Sequence, residues 1–88
     1  MAEIESSLER ALASNPAEEV DLILRLESSP PDLMEALEKH GVEVRRRFRL
    51  SRSISVRCRG SAALALLDEP WLKRVEDDRP MRALDKGR

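Results

Sequence analysis

Alternation of apolar and charged residues is the feature that most constrains the fold of this chain. In residues 19–26 every second side chain is apolar, and those between them are mostly charged. A period of two is typical of a β-strand that buries one face. The same pattern returns in residues 42–50 and 53–59, which are linked by a short turn around Arg52. The sequence therefore predicts a sheet with one buried face and a hairpin within it.

The segments between these strands change to a helical period. Residues 31–40 predict one helix, with Pro31 suited to its first turn and Gly41 suited to a left-handed C-cap. Residues 61–68 predict a second helix, which Pro70 ends. A short amphipathic helix is also predicted near the N-terminus, because the apolar residues there lie three, four or one apart: Ile4, Leu8, Ala11 and Leu12.

A last strand is predicted over residues 71–77, so the order is strand–helix–strand–strand–helix–strand. This order indicates an α+β domain of the ferredoxin-like type, with two helices on one face of a four-stranded antiparallel sheet. The other face of the sheet is left open. We expect an N-terminal helical arm in residues 1–17, the ferredoxin-like domain in residues 18–78 and an extended C-terminal tail in residues 79–88.

The alternation in the middle two strands predicts which of their side chains lie on the open face. In residues 42–50 we expect the apolar side chains to face the core, namely Val42, Val44, Phe48 and Leu50. Arg46 is in phase with them, which predicts a bulge or an edge strand at that point. The arginines at alternate positions are expected to point outward: Arg45, Arg47, Arg49, Arg57 and Arg59.

This arginine-rich face has two interpretations. These five arginines could contact the phosphates of a nucleic acid. Alternatively, the face could contact a protein partner through Ile23, Arg45, Arg47 and Arg57. The predicted face lacks an aromatic residue on which bases would stack, since Phe48 is expected to point inward. The sequence therefore favours a solvated or protein-binding face, with arginines crossing to nearby acids, over nucleic-acid binding.

Composition argues against several other classes of function. The chain has 88 residues, enough for one domain, and its net charge of −1 gives no overall attraction to nucleic acid or an anionic membrane. His40 and Cys58 are the single histidine and the single cysteine, and they cannot form a zinc site by themselves. Cys58 is expected to be a buried thiol, and His40 a surface residue at a helix end. We expect no enzymatic activity, no metal, no cofactor and no membrane-spanning segment.

The second half of the chain resembles the end of a subtilisin propeptide. Residues 66–78 read Leu-Leu-Asp-Glu-Pro-Trp-Leu-Lys-Arg-Val-Glu-Asp-Asp. Members of that family have a helix, a proline, an apolar residue and Val-Glu-x-Asp, followed by a substrate-like tail. Residues 20–26 resemble the family's first strand, and residues 41–44 followed by Phe48 resemble its next one. The resemblance covers residues 19–84.

Subtilisin propeptides are folding chaperones and inhibitors of their cognate proteases, and the resemblance implies the same function here. It implies that the open sheet face lies on two surface helices of the protease. Glu76 and Asp78 match the family's acids that cap the N-termini of those helices. Anions are favoured there because the helix end carries partial positive charge and free N–H groups.

The resemblance also implies that the tail lies in the active-site cleft as an extended strand. Leu84 would occupy the pocket directly before the cleavage point, and Met81 a second apolar pocket. Arg82 would point to solvent, and Ala83 is small enough to pass the catalytic histidine. The chain would then be a slow substrate that is cut after Leu84.

The sequence leaves two other functions open. The domain could be a regulatory module that forms a homodimer through its sheet, or it could bind nucleic acid through the arginine-rich face. The expected compartment depends on the chain's origin. It is the cytoplasm if the chain is complete, and the extracellular space if the chain is cut from a secreted precursor.

Overall fold

A computed structural model describes residues 2–78, which form an α+β fold with three helices and five strands. In chain order these elements are β1 (Glu3–Ile4), α1 (Ser6–Ser14), β2 (Glu19–Leu26), α2 (Leu33–Lys39), β3 (Glu43–Phe48), β4 (Ser53–Arg59), α3 (Gly60–Leu66) and β5 (Leu72–Asp77). The predicted N-terminal helix is present as α1. The predicted tail, residues 79–88, lies outside the described residues.

The five strands form one sheet in the order β1-β5-β2-β4-β3. Neighbours among β2 to β5 are antiparallel, whereas β1 is parallel to β5. The predicted four-stranded antiparallel sheet is therefore wrong in strand number and in the direction of one edge strand. The additional strand has only two residues, too few for alternation to be recognised, so the sequence places Ile4 on the following helix instead. A hydrogen bond of 2.9 Å from the Ala2 N–H to the Leu67 carbonyl holds this edge in place.

The core lies between one face of the sheet and the helices. Alternation places Leu22 and Leu24 of β2 on this inner face, and both are fully buried. The neighbouring strands and all three helices add further buried apolar side chains: Ile54, Val56, Val75, Leu8, Leu12, Leu33, Leu37 and Leu66. Helix α1 therefore belongs to the same core as the rest of the described chain.

Helix α1 packs closely against the start of α3. A Cβ atom placed on Gly60 would lie 2.7 Å from the Leu12 carbonyl oxygen and 3.0 Å from that of Asn15. Only glycine allows this approach without a shift of the backbone. Gly41 follows α2 with a positive φ of 72°, as expected for the left-handed C-cap that the sequence predicts.

Two β-bulges change which side chains face the core, one in β3 and one between β2 and β5. The register of β3 shifts between Val44 and Arg46, which confirms the irregularity predicted there. Because the phase is inverted beyond the bulge, Phe48 pairs with Ser53 on the open face and is 37% exposed. The predictions that Phe48 and Leu50 face the core are therefore wrong; Leu50 lies in the hairpin turn and is fully exposed.

A second bulge between β2 and β5 leaves Lys73 without a cross-strand partner in β2. It explains why Leu72 and Val75, three residues apart, are both buried on the inner face. None of the three helices in residues 2–78 is long and apolar enough to cross a membrane.

Candidate binding surface on the open sheet face

The open face is the side of the sheet that points away from the helices. Cross-strand register places Ile23 of β2 at its centre, between Ser55 of β4 and Glu76 of β5. Most of the surrounding side chains are charged or polar: Asp21, Arg25, Arg46, Ser53, Arg57 and Arg74. No helix in the described part of the chain covers this face. Four strands therefore present a continuous polar surface with an apolar side chain in the middle.

Glu76 is the centre of the ion pairs on the β5 side. Its Oε2 lies 3.0 Å from Nε of Arg25 and 3.1 Å from Nε of Arg74. Arg74 also lies 3.2 Å from Glu3 on β1. The Glu76 side chain keeps 32% of its surface exposed, so a partner can still reach its carboxylate.

Asp78 is held over the open face by contacts to β4 and β2. Its Oδ2 accepts a hydrogen bond of 2.9 Å from the hydroxyl of Ser55. Its backbone N–H donates to the carbonyl of Asp21 at 3.1 Å. These contacts bring together the two acids that the sequence predicts as protease anchors, at the end of β5 and on one face.

Arg57 occupies the middle of the face and is matched by acids. Its guanidinium lies 3.2 Å from Glu19 and 3.5 Å from Asp21. Because these groups are part-exposed, each pair contributes only about 0–1 kcal/mol to stability. The prediction that arginines cross to nearby acids holds for Arg57 in particular.

The β3 side differs because its arginines lack such partners. Within residues 2–78, neither Arg45 nor Arg46 forms an ion pair. The Arg46 guanidinium lies 6.0 Å from the centre of the Phe48 ring, at the outer limit of a cation–π contact. An open groove of about 420 Å³ is lined by Arg45, Arg46, Phe48 and Arg57.

The predicted sheet-face residues are only partly brought together. Ile23, Arg45 and Arg57 lie on or beside the open face, but Arg47 does not. The bulge inverts its phase, so Arg47 pairs with the buried Ile54 and donates a 3.2 Å hydrogen bond to Ser29 at the sheet edge. The predicted tail residues are outside the described part of the chain: Met81, Arg82, Ala83 and Leu84.

Arg46 and Phe48 are the site residues that the sequence interpretation missed. The sequence did carry a signal, because an arginine in phase with apolar residues indicated a bulge. Extending the phase inversion beyond that bulge would have placed both side chains outward. The two arginine partners of Glu76 were missed for a different reason, since strand order must be known before pairs across β2 and β5 can be assigned.

The isolated histidine and cysteine have structural environments. Cys58 is buried on the inner face, as expected, and burial, with a smaller effect from Glu19, raises its pKa from 9.0 to about 11. Its thiol therefore stays protonated at neutral pH. His40 caps α2 and its Nε2 lies 3.2 Å from a carboxylate oxygen of Glu69, which links α2 to the loop before β5.

Comparisons with known proteins do not assign the chain to a family. No family model matches it, and no curated protein matches it significantly. Within residues 2–78, no cluster of acids, histidine and cysteine is arranged to hold a metal ion. The open face is therefore the candidate binding surface.

Proposed function

We propose that this domain binds a subtilisin-like serine protease through its open sheet face and acts as a propeptide-type inhibitor or folding chaperone. The observation that carries the proposal is the position of Glu76 and Asp78. Both acids lie at the end of β5 and on the open face. They directly precede the residues that the proposal places in the active-site cleft.

The proposed contact has a simple electrostatic basis. A helix N-terminus carries partial positive charge and free N–H groups, and a carboxylate docked there is stabilised. Glu76 would exchange its exposed pairs with Arg25 and Arg74 for such N–H groups. The exchange costs little, because exposed ion pairs contribute only about 0–1 kcal/mol each.

The topology supports the same proposal. The elements from β2 to β5 follow the order strand–helix–strand–strand–helix–strand, and their sheet order is β5-β2-β4-β3. We propose that this unit is a ferredoxin-like domain to which β1 and α1 are added. In such a unit the helices occupy one face, and the other is available to a partner.

The tail completes the proposed mechanism. We propose that Leu84 enters the pocket before the cleavage point, that Met81 fills a second apolar pocket, and that the backbone between them pairs with the cleft as an extended strand. Arg82 would remain in solvent, and Ala83 would leave space beside the catalytic histidine. Inhibition would then be slow-substrate inhibition, with cleavage after Leu84.

The first test is inhibition and complex formation with a purified subtilisin. We expect inhibition of peptide hydrolysis and a one-to-one complex by size-exclusion chromatography. A serine protease of the chymotrypsin fold is the control, because it lacks the pair of surface helices that the proposal requires. Absence of both inhibition and complex would reject the proposal. A dimer by light scattering without inhibition would favour self-association through the sheet.

A nucleic-acid-binding function is the second candidate, and one observation favours it. Phe48 lies on the open face beside Arg46, so the face does offer an aromatic side chain near arginines. The same face also carries Glu76, Asp78 and Asp21, which would repel a phosphate backbone. We therefore rank nucleic-acid binding below protease binding. Salt-dependent RNA binding would reverse this order.

A further inference from the structure

The open face is electrostatically divided. On the β5 and β2 side, arginines and acids are matched, with Glu76 between Arg25 and Arg74. On the β3 side, Arg45 and Arg46 form no ion pair with any residue in the range 2–78. The positive charge that is not neutralised within the described chain is thus concentrated at one end of the face, in a groove of about 420 Å³.

The groove combines charge with an apolar surface. Phe48 is 37% exposed, and the Arg46 guanidinium lies over its ring. At 6.0 Å from the ring centre this is a cation–π contact at its outer limit. The contact uses none of the guanidinium N–H donors, which can bind a carboxylate in a fork geometry. The exposed part of the ring can contact the methylene groups of a glutamate side chain.

The groove also limits the size of an anionic ligand. Asp21 and Asp78 line its other side, where they are bound to Arg57 and Ser55. A continuous phosphate backbone would approach these carboxylates, whereas one or two carboxylate side chains can reach the arginines alone. The charge distribution therefore favours an acidic protein segment over a nucleic acid.

We infer that Arg45 and Arg46, with Phe48, form a docking site for an acidic segment of the protein partner. The inference rests on the proposed function in naming the protease as that partner. It adds a second contact on the β3 side of the open face, across the sheet from Glu76 and with Asp78 at the border of the groove. The β5 side and the β3 side of the face then have opposite charge requirements. A partner must present helix N-termini to Glu76 and Asp78 and carboxylates to Arg45 and Arg46, which restricts the proteases that fit.

The test compares two charge-reversed variants that have the same net charge. Arg45→Glu with Arg46→Glu alters the groove, whereas Arg49→Glu with Arg52→Glu alters the hairpin turn. The probes are a fluorescent deca-glutamate peptide and a single-stranded RNA of about twenty nucleotides, at low salt where surface charges are little screened. Circular dichroism and a thermal melt establish that both variants are folded.

We expect the groove variant to bind the glutamate peptide about tenfold more weakly than the parent, and the turn variant to stay within about twofold. We expect the two variants to bind the RNA with equal affinity. Equal loss of peptide binding in both variants would overturn the inference, since net charge alone would explain it. Tighter binding of RNA than of the peptide, lost specifically in the groove variant, would overturn it in favour of a nucleic-acid site.

Inhibition of subtilisin by the same variants separates this inference from the proposed function. We expect the groove variant to raise the inhibition constant about tenfold at low salt, with the difference decreasing as salt is added. If the parent inhibits and the groove variant inhibits equally well, the inference fails and the proposed function stands. If the parent does not inhibit but peptide binding depends on Arg45 and Arg46, the proposed function fails and the acidic-segment site stands.

Discussion

Ser55 on β4 donates a 2.9 Å hydrogen bond to Asp78, the residue that follows β5. Strand β2 lies between those two strands in the sheet, so the bond passes across the open face above it. The backbone bond from Asp78 to Asp21 at 3.1 Å acts in the same place. The end of β5 is therefore fixed against the face that we propose as the protease contact.

Replacement of Leu12 tests whether α1 is part of the domain. Leu12 is almost completely buried between α1 and the core. We expect Leu12→Ala to lower the free energy of unfolding by about 2–5 kcal/mol, through lost apolar burial and the cavity left behind. Leu50→Ala is the matched control, because Leu50 is fully exposed, and its effect should stay within about 0.5 kcal/mol. Denaturant unfolding measures both; similar midpoints would show that α1 is dispensable.

Gly60→Ala tests the close packing of α1 on α3. The added Cβ would meet the Leu12 carbonyl at 2.7 Å, a backbone atom that cannot move away independently. We expect a loss of about 1–3 kcal/mol in the free energy of unfolding, although alanine is the better helix former. The control is Ser61→Ala at the exposed neighbouring position. A Gly60→Ala variant as stable as the parent would contradict the packing described for these helices.

The buried thiol predicts a specific dependence of stability on pH. The pKa of Cys58 is raised from 9.0 to about 11 in the folded state. The folded state therefore binds the proton more tightly, and above pH 9 the unfolded state loses it first. The Cys58 contribution is complete below pH 9 and declines as the pH rises toward 11. Urea midpoints measured across this range should decrease more steeply for the parent than for Cys58→Ala; parallel curves would contradict burial of the thiol.

Much of the fold could be predicted from strands whose alternation is uninterrupted. The bounds of β2 and β4 agree with the predicted ranges 19–26 and 53–59, because both are central strands with one buried face. Helices α2 and α3 were predicted to within two residues at each end. β1 could not be predicted, since two residues carry no period and the pairing depends on where β5 lies in three dimensions.

The candidate site was less predictable than the fold. A bulge changes the face of every residue after it, so one irregularity at Arg45 moved Phe48 outward and Arg47 away from the open face. Local sequence indicates that a bulge exists but not how far its effect extends. By contrast, Glu76 was placed outward by the resemblance and lies on the open face.

Leu84→Asp tests the substrate-like tail. A charge in an apolar specificity pocket should weaken protease binding by at least about 2 kcal/mol. Arg82→Asp is the matched control, because that side chain is proposed to face solvent and the same residue type is introduced. Mass spectrometry of the parent incubated with subtilisin should show slow loss of residues 85–88. Cleavage elsewhere, or equal inhibition by the Leu84→Asp variant, would exclude this tail mechanism.

We propose that Glu76 and Asp78 anchor the open face to a subtilisin-like protease. The inhibition constant of the double alanine variant tests this anchoring. The matched control is Glu35→Ala with Glu38→Ala, which removes two exposed acids from α2, on the opposite side of the sheet. Thermal melts of both variants should remain close to that of the parent. The ion pairs of Glu76 and the hydrogen bond from Ser55 to Asp78 are partly exposed, so each contributes only about 0–1.5 kcal/mol, and the backbone bond from Asp78 to Asp21 is kept.

We predict that the Glu76→Ala, Asp78→Ala variant binds subtilisin about 1–3 kcal/mol more weakly than the parent, through the loss of two contacts to helix ends. The α2 variant should inhibit as well as the parent. An unchanged inhibition constant in the first variant, with the fold intact, would exclude both acids from the interface.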